Sequence, residues 1–369
     1  MTESETRSLV PDRLLREPGP FVSLYLDTQA ATEQGDEELA LRWKNLREDA
    51  AEAGASPEAL SEIEGIVAGS QRRGDGLAVI AAADDVVIER YLGAFIRDSI
   101  TFGPLPDLLP LVEWSQNNPD YAIVFCDRTG ADIHVVHRQW RTRTFAFKRD
   151  LEHHDVAVPR PGGWAHSRWQ RSTENLWEFN SREVAERLGK IVQEEDLDFV
   201  LVSGDVSAVR YLKDHASELL REEIIDTGIN AHSFDEIGDE LERALSGVVA
   251  TRIKATLERY QEERGQHDLA TEGWEDTFAA LRMAQVATLL IGDQAQHRHA
   301  YFILDDPNQI SLDRAELEGI GAGEVLEADA VTVAVRAAVG TDADVCVVPD
   351  LGSQHGPKHG IGALLRFKT

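Results

Sequence analysis

The chain has 369 residues, 42% of them apolar, and a formal net charge of −29. That length exceeds one ordinary core and suits two or three domains, and the even spread of Leu, Val and Ile excludes wholesale disorder. No apolar run approaches the ~18 residues of a membrane span and Met1–Arg7 is polar, so a cytoplasmic protein without a membrane partner is expected; so negative a mean field also argues against DNA as a partner.

Phe21–Leu26 alternates like a strand behind Pro18-Gly19-Pro20. Leu39, Trp43, Leu46 and Ala50 repeat at helical spacing, and Ser56-Pro57-Glu58 starts a second helix through Leu60, Ile63 and Val67. Leu77–Ala81 and Val86–Leu92 form a hairpin, and the prolines from Pro104 to Pro119 close a first domain, 1–117. Tyr121–Cys126 and Ile133–Val136 then make a strand pair, followed by a basic loop. Beyond it, Ser172 or Thr173 caps a helix carrying Leu176, Phe179, Val184, Leu188 and Ile191, and Phe199–Val202 is a strand. Val209, Leu212, Ala216 and Leu219 are one helix face, and a long helix runs from about Phe234 to Arg264, ending a middle domain at 118–267. In 268–369, a helix on Trp274, Phe278 and Leu281, strand Thr288–Ile291, a polar stretch, helix Ala330–Val339, strand Val345–Val348 and a last strand from Ile361 indicate a small αβα sandwich.

The chain departs from its mean charge in one place. From Arg138 to Arg171 there are eight bases and three acids. Within that tract Arg160, Gly162, Gly163, Trp164, His166, Arg168, Trp169 and Arg171 combine backbone freedom, flat stacking surfaces and guanidinium groups, which together suit RNA. Other candidates have plainer readings. His153, His154 and Asp155 fix no ligand geometry, and Gly319–Gly323 follows helical rather than strand sequence, so neither a metal nor a cofactor is expected. Ser203-Gly204-Asp205 stands where α/β enzymes place catalytic groups, but Asp205 is better placed to cap the next helix. Cys126 and Cys346 lie in apolar runs and read as core thiols.

The segments Cys126–Asp132, Val200–Asp205 and Gly360–Phe367, taken with the order of elements, resemble the bacterial relatives of the archaeo-eukaryotic peptide-chain release factor. The likeness spans about Gly19 to Phe367. It is close to actinobacterial members, which are similar to the hibernation factor Balon and to Vms1-type peptidyl-tRNA hydrolases. The resemblance implies an α/β protein of three domains: an N-terminal α/β domain, an RNase H-like middle domain and an L7Ae-like C-terminal sandwich. It implies the ribosome as partner, through rRNA and tRNA, with a translation factor met by the C-terminal domain. Release factors carry Gly-Gly-Gln at the loop tip. Here Trp164 follows Gly162-Gly163 and the nearest glutamine is Gln170, the candidate for orienting a water if peptidyl-tRNA is hydrolysed. A ribosome-binding factor, a hydrolase and a stress-induced adaptor therefore stand as alternatives.

Overall fold

The computed structural model describes residues 9–29, 35–70, 74–82, 85–127, 130–138, 141–148, 180–266, 269–292, 295, 298–321, 323–349 and 356–367. The chain forms two compact units, one made of 1–117 with 250–369 and the other of 118–249.

The first unit opens with an antiparallel sheet of β1 (Phe21–Asp27), β2 (Gly76–Ala82), β3 (Asp85–Leu92) and β4 (Ser99–Gly103), in the order β3-β2-β1-β4. Successive side chains of β1 face opposite ways, so Val22, Leu24 and Leu26 meet α1 (Gly35–Glu52) and α2 (Pro57–Gly69) through Leu39, Trp43, Leu60 and Ile63. Phe21 and Tyr25 take the other face, where the core is shared with the C-terminal part of the unit. Phe21 to Leu26 are all buried, so β1 is covered on both sides and is not the half-exposed strand that an alternating pattern implies. Ser56 caps α2 as its position suggests, accepting from Ala59 N at 3.1 Å. The proline-rich stretch follows β4 and contains α3 (Leu109–Asn117), a helix that its turn-like composition concealed.

The second unit holds β5 (Tyr121–Cys126), β6 (Gly130–His137), β7 (Arg141–Lys148), α4 (helical residues 180–194), β8 (Phe199–Gly204), α5 (Val206–His215), α6 (Glu218–Glu223) and β9 (Ile224–Asp226). Its sheet runs β7-β6-β5-β8-β9. The first three strands form an antiparallel meander, and β8 and β9 add in parallel. This 3-2-1-4-5 order is the RNase H-like arrangement expected of the middle domain. The basic tract begins as ordered sheet rather than as loop, because Arg141-Thr142-Arg143-Thr144-Phe145 alternates and pairs with β6. Leu219 departs from expectation: α5 stops at Ala216, Ser217 caps α6 by accepting from Leu220 N at 3.2 Å, and the restarted register buries Leu220 and leaves Leu219 68% exposed.

The long helix, α7 (Gly238–Gln266), is divided between the units at 249/250. Its second half places Leu257 and Tyr260 against one face of the sheet β10 (Ala270–Glu272), β11 (Val286–Gly292), β15 (Asp344–Val348) and β16 (Ile361–Leu365), ordered β10-β16-β11-β15. The opposite face meets α8 (Trp274–Arg282) and α10 (Ala330–Gly340), so helices cover both sides. The polar stretch folds as a second small sheet of β12 (His299–Ile303), β13 (Asp306–Ser311) and β14 (Val325–Asp329). Between β13 and β14, α9 (Arg314–Ile320) ends on Gly321 in the left-handed region, φ 69°, so that glycine closes a helix.

Two buried polar side chains tie distant segments of this unit together. Arg336, 1% exposed, donates from Nε and Nη2 to the Leu15 carbonyl at 3.0 and 2.8 Å, and also to the Ile303 and Leu304 carbonyls. Gln116 makes a two-way amide clamp with the backbone of Val347, 2.9 Å in each direction. Both cysteines are buried free thiols, and burial pushes Cys126 up to about 12 and Cys346 to about 11, which keeps them protonated.

Candidate nucleic-acid interface

Arg160, Gly162, Gly163, Trp164, His166, Arg168, Trp169, Gln170 and Arg171 lie outside the described residues, as do His153, His154 and Asp155. What the structure defines is the frame from which that segment departs. Lys148 pairs with Gly130, and Cys126 pairs with Gly204, so β7 delivers the chain at the carboxyl ends of the parallel strands β5 and β8. Helix α4 then spans about 22 Å, close to the length of a six-residue strand, and leads to the amino end of β8. Lys148 thus lies at the carboxyl edge, the side on which open α/β sheets carry their sites.

That edge is tightly built. A Cβ on Gly204, φ 133°, would lie 1.9 Å from the Cys126 carbonyl oxygen, so only glycine fits where β5 and β8 converge. Asp205 donates its N–H to that same carbonyl at 3.0 Å, and its carboxylate accepts from Ser207 N and Ala208 N at 3.0 and 3.2 Å, capping α5. Ser203 Oγ donates to the Ile229 carbonyl at 2.9 Å and accepts from Ala231 N at 3.1 Å. The Ser203-Gly204-Asp205 turn is accordingly a structural device: the hydroxyl holds the 229–231 backbone and the carboxylate holds a helix.

The amino edge carries a charge cluster that sequence reasoning did not find. Asp120 accepts from the Arg138 N–H at 2.6 Å and from Nε at 3.2 Å, and Arg138 Nη2 stands 3.5 Å from Asp198. His137 lies between Asp120, 3.6 Å, and Glu195, 3.2 Å, and Glu195 also pairs with Arg143. Two of the eight bases in the Arg138–Arg171 tract are therefore matched by carboxylates: Arg138 by Asp120 and Asp198, which precede β5 and β8, and Arg143 by Glu195, which follows α4. Nothing local in the sequence announces these pairings, because the partners come from different strands.

A second unforeseen feature is aromatic. The His134 ring packs edge-on against Phe234 at 5.1 Å and Phe125 at 5.7 Å, with Phe234 41% exposed. Thr144 Oγ1, on β7, lies 3.0 Å from His134 Nδ1. The pairing of β5 with β6 brings Phe125 and His134 to one face, and Phe234, read in the sequence as the start of the long helix, packs against both rings. Among the described residues no helix is long and apolar enough to cross a membrane.

Residues 120–266 match the model of the bacterial archaeo-eukaryotic release factor family 2, which supports the resemblance carried by Cys126–Asp132 and Val200–Asp205. Over 96% of its length the chain is 27% identical to an uncharacterized protein of Mycobacterium tuberculosis, of which 95% is covered. It is similar to a model of ribosome-bound archaeal Pelota with ABCE1, at 13% identity and a TM-score of 0.40, covering 100% of this chain and 96% of that one. It is also similar to Saccharomyces cerevisiae Dom34, a translation termination-like factor interacting with Hbs1, at 11% identity and a TM-score of 0.40, with 80% of each chain covered.

Proposed function

We propose that this release-factor-like chain is a cytoplasmic ribosome-binding factor of the hibernation or stress type, which presents its basic loop to RNA at the ribosomal A site. The observation that carries the reading is the coincidence of the family match with the cation map: the matched segment, 120–266, contains the one basic tract of an acidic protein. Arg160, Arg168 and Arg171 would bind phosphate, Trp164 and Trp169 would stack on bases, and Gly162, Gly163 and His166 would shape the tip. The acidic remainder would repel RNA elsewhere and keep the contact local and salt-sensitive. Division into 1–117, 118–267 and 268–369, with the last segment meeting a translation factor, belongs to the same reading.

Co-sedimentation with ribosomes tests it. Arg168→Glu with Arg171→Glu should weaken pelleting by about tenfold or more, a loss of about 1.4 kcal/mol; equal pelleting of the parent and the double variant overturns the reading. The Gly162-Gly163 pair, which resembles the release-factor tip, favours a second reading as a peptidyl-tRNA hydrolase. On that reading Gln170→Ala stops release from peptidyl-tRNA while pelleting is retained.

A further inference from the structure

The five-stranded sheet of the second unit has unequal edges. β9, at one edge, is 3 residues long, whereas β7, at the other, is 8, longer than the usual strand of about five or six. Among the described residues no strand lies on the outer side of β7. An edge of that length presents a row of backbone donors and acceptors to which another chain can pair.

The hydrogen-bond register identifies those groups. Asp127 donates its N–H to the Gly130 carbonyl at 3.0 Å, so the two form a bonded pair, and Cys126, next along β5, turns its carbonyl away from β6 to the Asp205 N–H at 3.0 Å. Bonded and non-bonded pairs alternate in an antiparallel ladder, and the register of β6 with β5 and with β7 is continuous. The even-numbered residues of β6 from Gly130 to Val136 therefore bond toward β5, and the odd-numbered ones from Ala131 to His137 toward β7. On β7 the partners of that second set are Arg141, Arg143, Phe145 and Phe147. The N–H and C=O groups of Thr142, Thr144 and Ala146 consequently point away from β6.

Charge selects what can pair there. β7 reads Arg-Thr-Arg-Thr-Phe-Ala-Phe-Lys, three bases and no acid, in a chain of net charge −29. A second copy would set three bases against three more, which disfavours pairing of β7 with itself, whereas opposite charges across a strand pair attract. Arg143 is met by Glu195 and still stands 57% exposed, Thr144 is exposed and Phe145 is half-buried, so a neighbouring strand finds side chains to meet on both faces. We propose that β7 receives an extended, acidic segment of a partner protein as a sixth strand, bonded to the outward backbone groups of Thr142, Thr144 and Ala146. Main-chain bonds supply the affinity, and acidic side chains beside Arg141, Arg143 and Lys148 supply the selectivity. This contact is independent of the RNA reading, because it needs a peptide backbone and uses the strand that precedes the loop.

Calorimetric titration of the full chain with two capped octapeptides, one alternating Glu with Val and the other Lys with Val, tests the proposal. In about 0.1 M salt the Glu/Val peptide should bind at least about tenfold tighter than the Lys/Val peptide. Ala146→Pro removes an outward donor and spares the ladder to β6, so it should weaken the Glu/Val peptide about tenfold with the circular dichroism of the parent retained. Arg141→Glu leaves the backbone whole and should shift the preference toward the Lys/Val peptide by about tenfold. An eight-nucleotide oligouridylate, the polyanion control, should not displace the Glu/Val peptide. Absence of Glu/Val binding to the parent, equal affinity for the two peptides, unchanged affinity in folded Ala146→Pro, unchanged preference in Arg141→Glu, or displacement by oligouridylate would each overturn the proposal.

Discussion

Arg336 in the first unit and Arg138 in the second each join segments far apart in sequence, yet they are held by different chemistry. Arg336 is sealed from water and bonded to neutral carbonyls of Leu15, Ile303 and Leu304, with its guanidinium 5.4 Å from the Phe302 ring. Burial lowers it to about 10, the mark of a charge compensated by dipoles and a ring rather than by a carboxylate at contact distance. Arg138 sits at a sheet edge between Asp120 and Asp198, with its side chain 12% exposed. The first arrangement is specified by shape and depends little on salt; the second is specified by charge at a partly wet edge. The contrast also separates two uses of arginine in one chain, as a buried strut and as a charge already matched, from the loop arginines proposed to seek phosphate.

The largest expected effect breaks the buried strut. Arg336→Met preserves much of the side-chain volume but leaves the Leu15, Ile303 and Leu304 carbonyls without their donor. Since an unsatisfied buried acceptor costs roughly 1 to 3 kcal/mol, the variant should lose about 4 kcal/mol in urea unfolding. A loss below about 1 kcal/mol would mean that the strut is dispensable and that the two regions differ only in appearance.

Next in size is an effect of opposite sign. Asp107 holds its proton to about pH 6 in the folded chain, whereas an unfolded aspartate releases it near pH 4. The folded state therefore binds more protons across that interval, and stability falls as pH rises through it. Above about pH 6 the full penalty, about 3 kcal/mol, is in place. Asp107→Asn should be more stable than the parent near pH 7 by up to that amount and should match it near pH 4, as read from denaturant midpoints across the range. An unchanged pH slope in the variant would locate the titration elsewhere.

The strands and helices most visible in the sequence were those whose apolar period is uninterrupted. Phe21–Leu26, Tyr121–Cys126 and Ala330–Val339 are all elements, and Asp205 caps α5 where its position suggested. The hidden elements were those whose composition serves two demands. β13 is a half-buried edge strand whose Asp-Pro-Asn-Gln start looks like a turn, and β7, which mixes Arg and Thr with Phe, is the edge strand of its sheet. The pairing of Arg138 with Asp120 and Asp198 was illegible for another reason: it depends on β5, β6 and β8 lying side by side, which fixes neighbours that no local spacing encodes. The interaction of Asp107 with Asp329 was hidden in the same way, since these residues come from segments brought together only by the shared core of the first unit.

The smallest expected effect is the sharpest test of which arginines are available to RNA. Arg143 is 57% exposed, belongs to the basic tract by sequence, and pairs with Glu195 on the folded sheet. Because exposed pairs are worth little, Arg143→Gln should cost only about 0.5 kcal/mol and should converge on the parent in about 1 M salt. Its effect on ribosome pelleting should be similarly small, because the charge removed is already matched; removing it frees Glu195 to interact with His137 alone. Should Arg143→Gln instead weaken pelleting as much as the change at Arg168 and Arg171, the pair must open on the ribosome. The basic surface would then extend from the loop onto β7, and the distinction between structural and RNA-seeking arginines in this unit would have to be redrawn at Arg138.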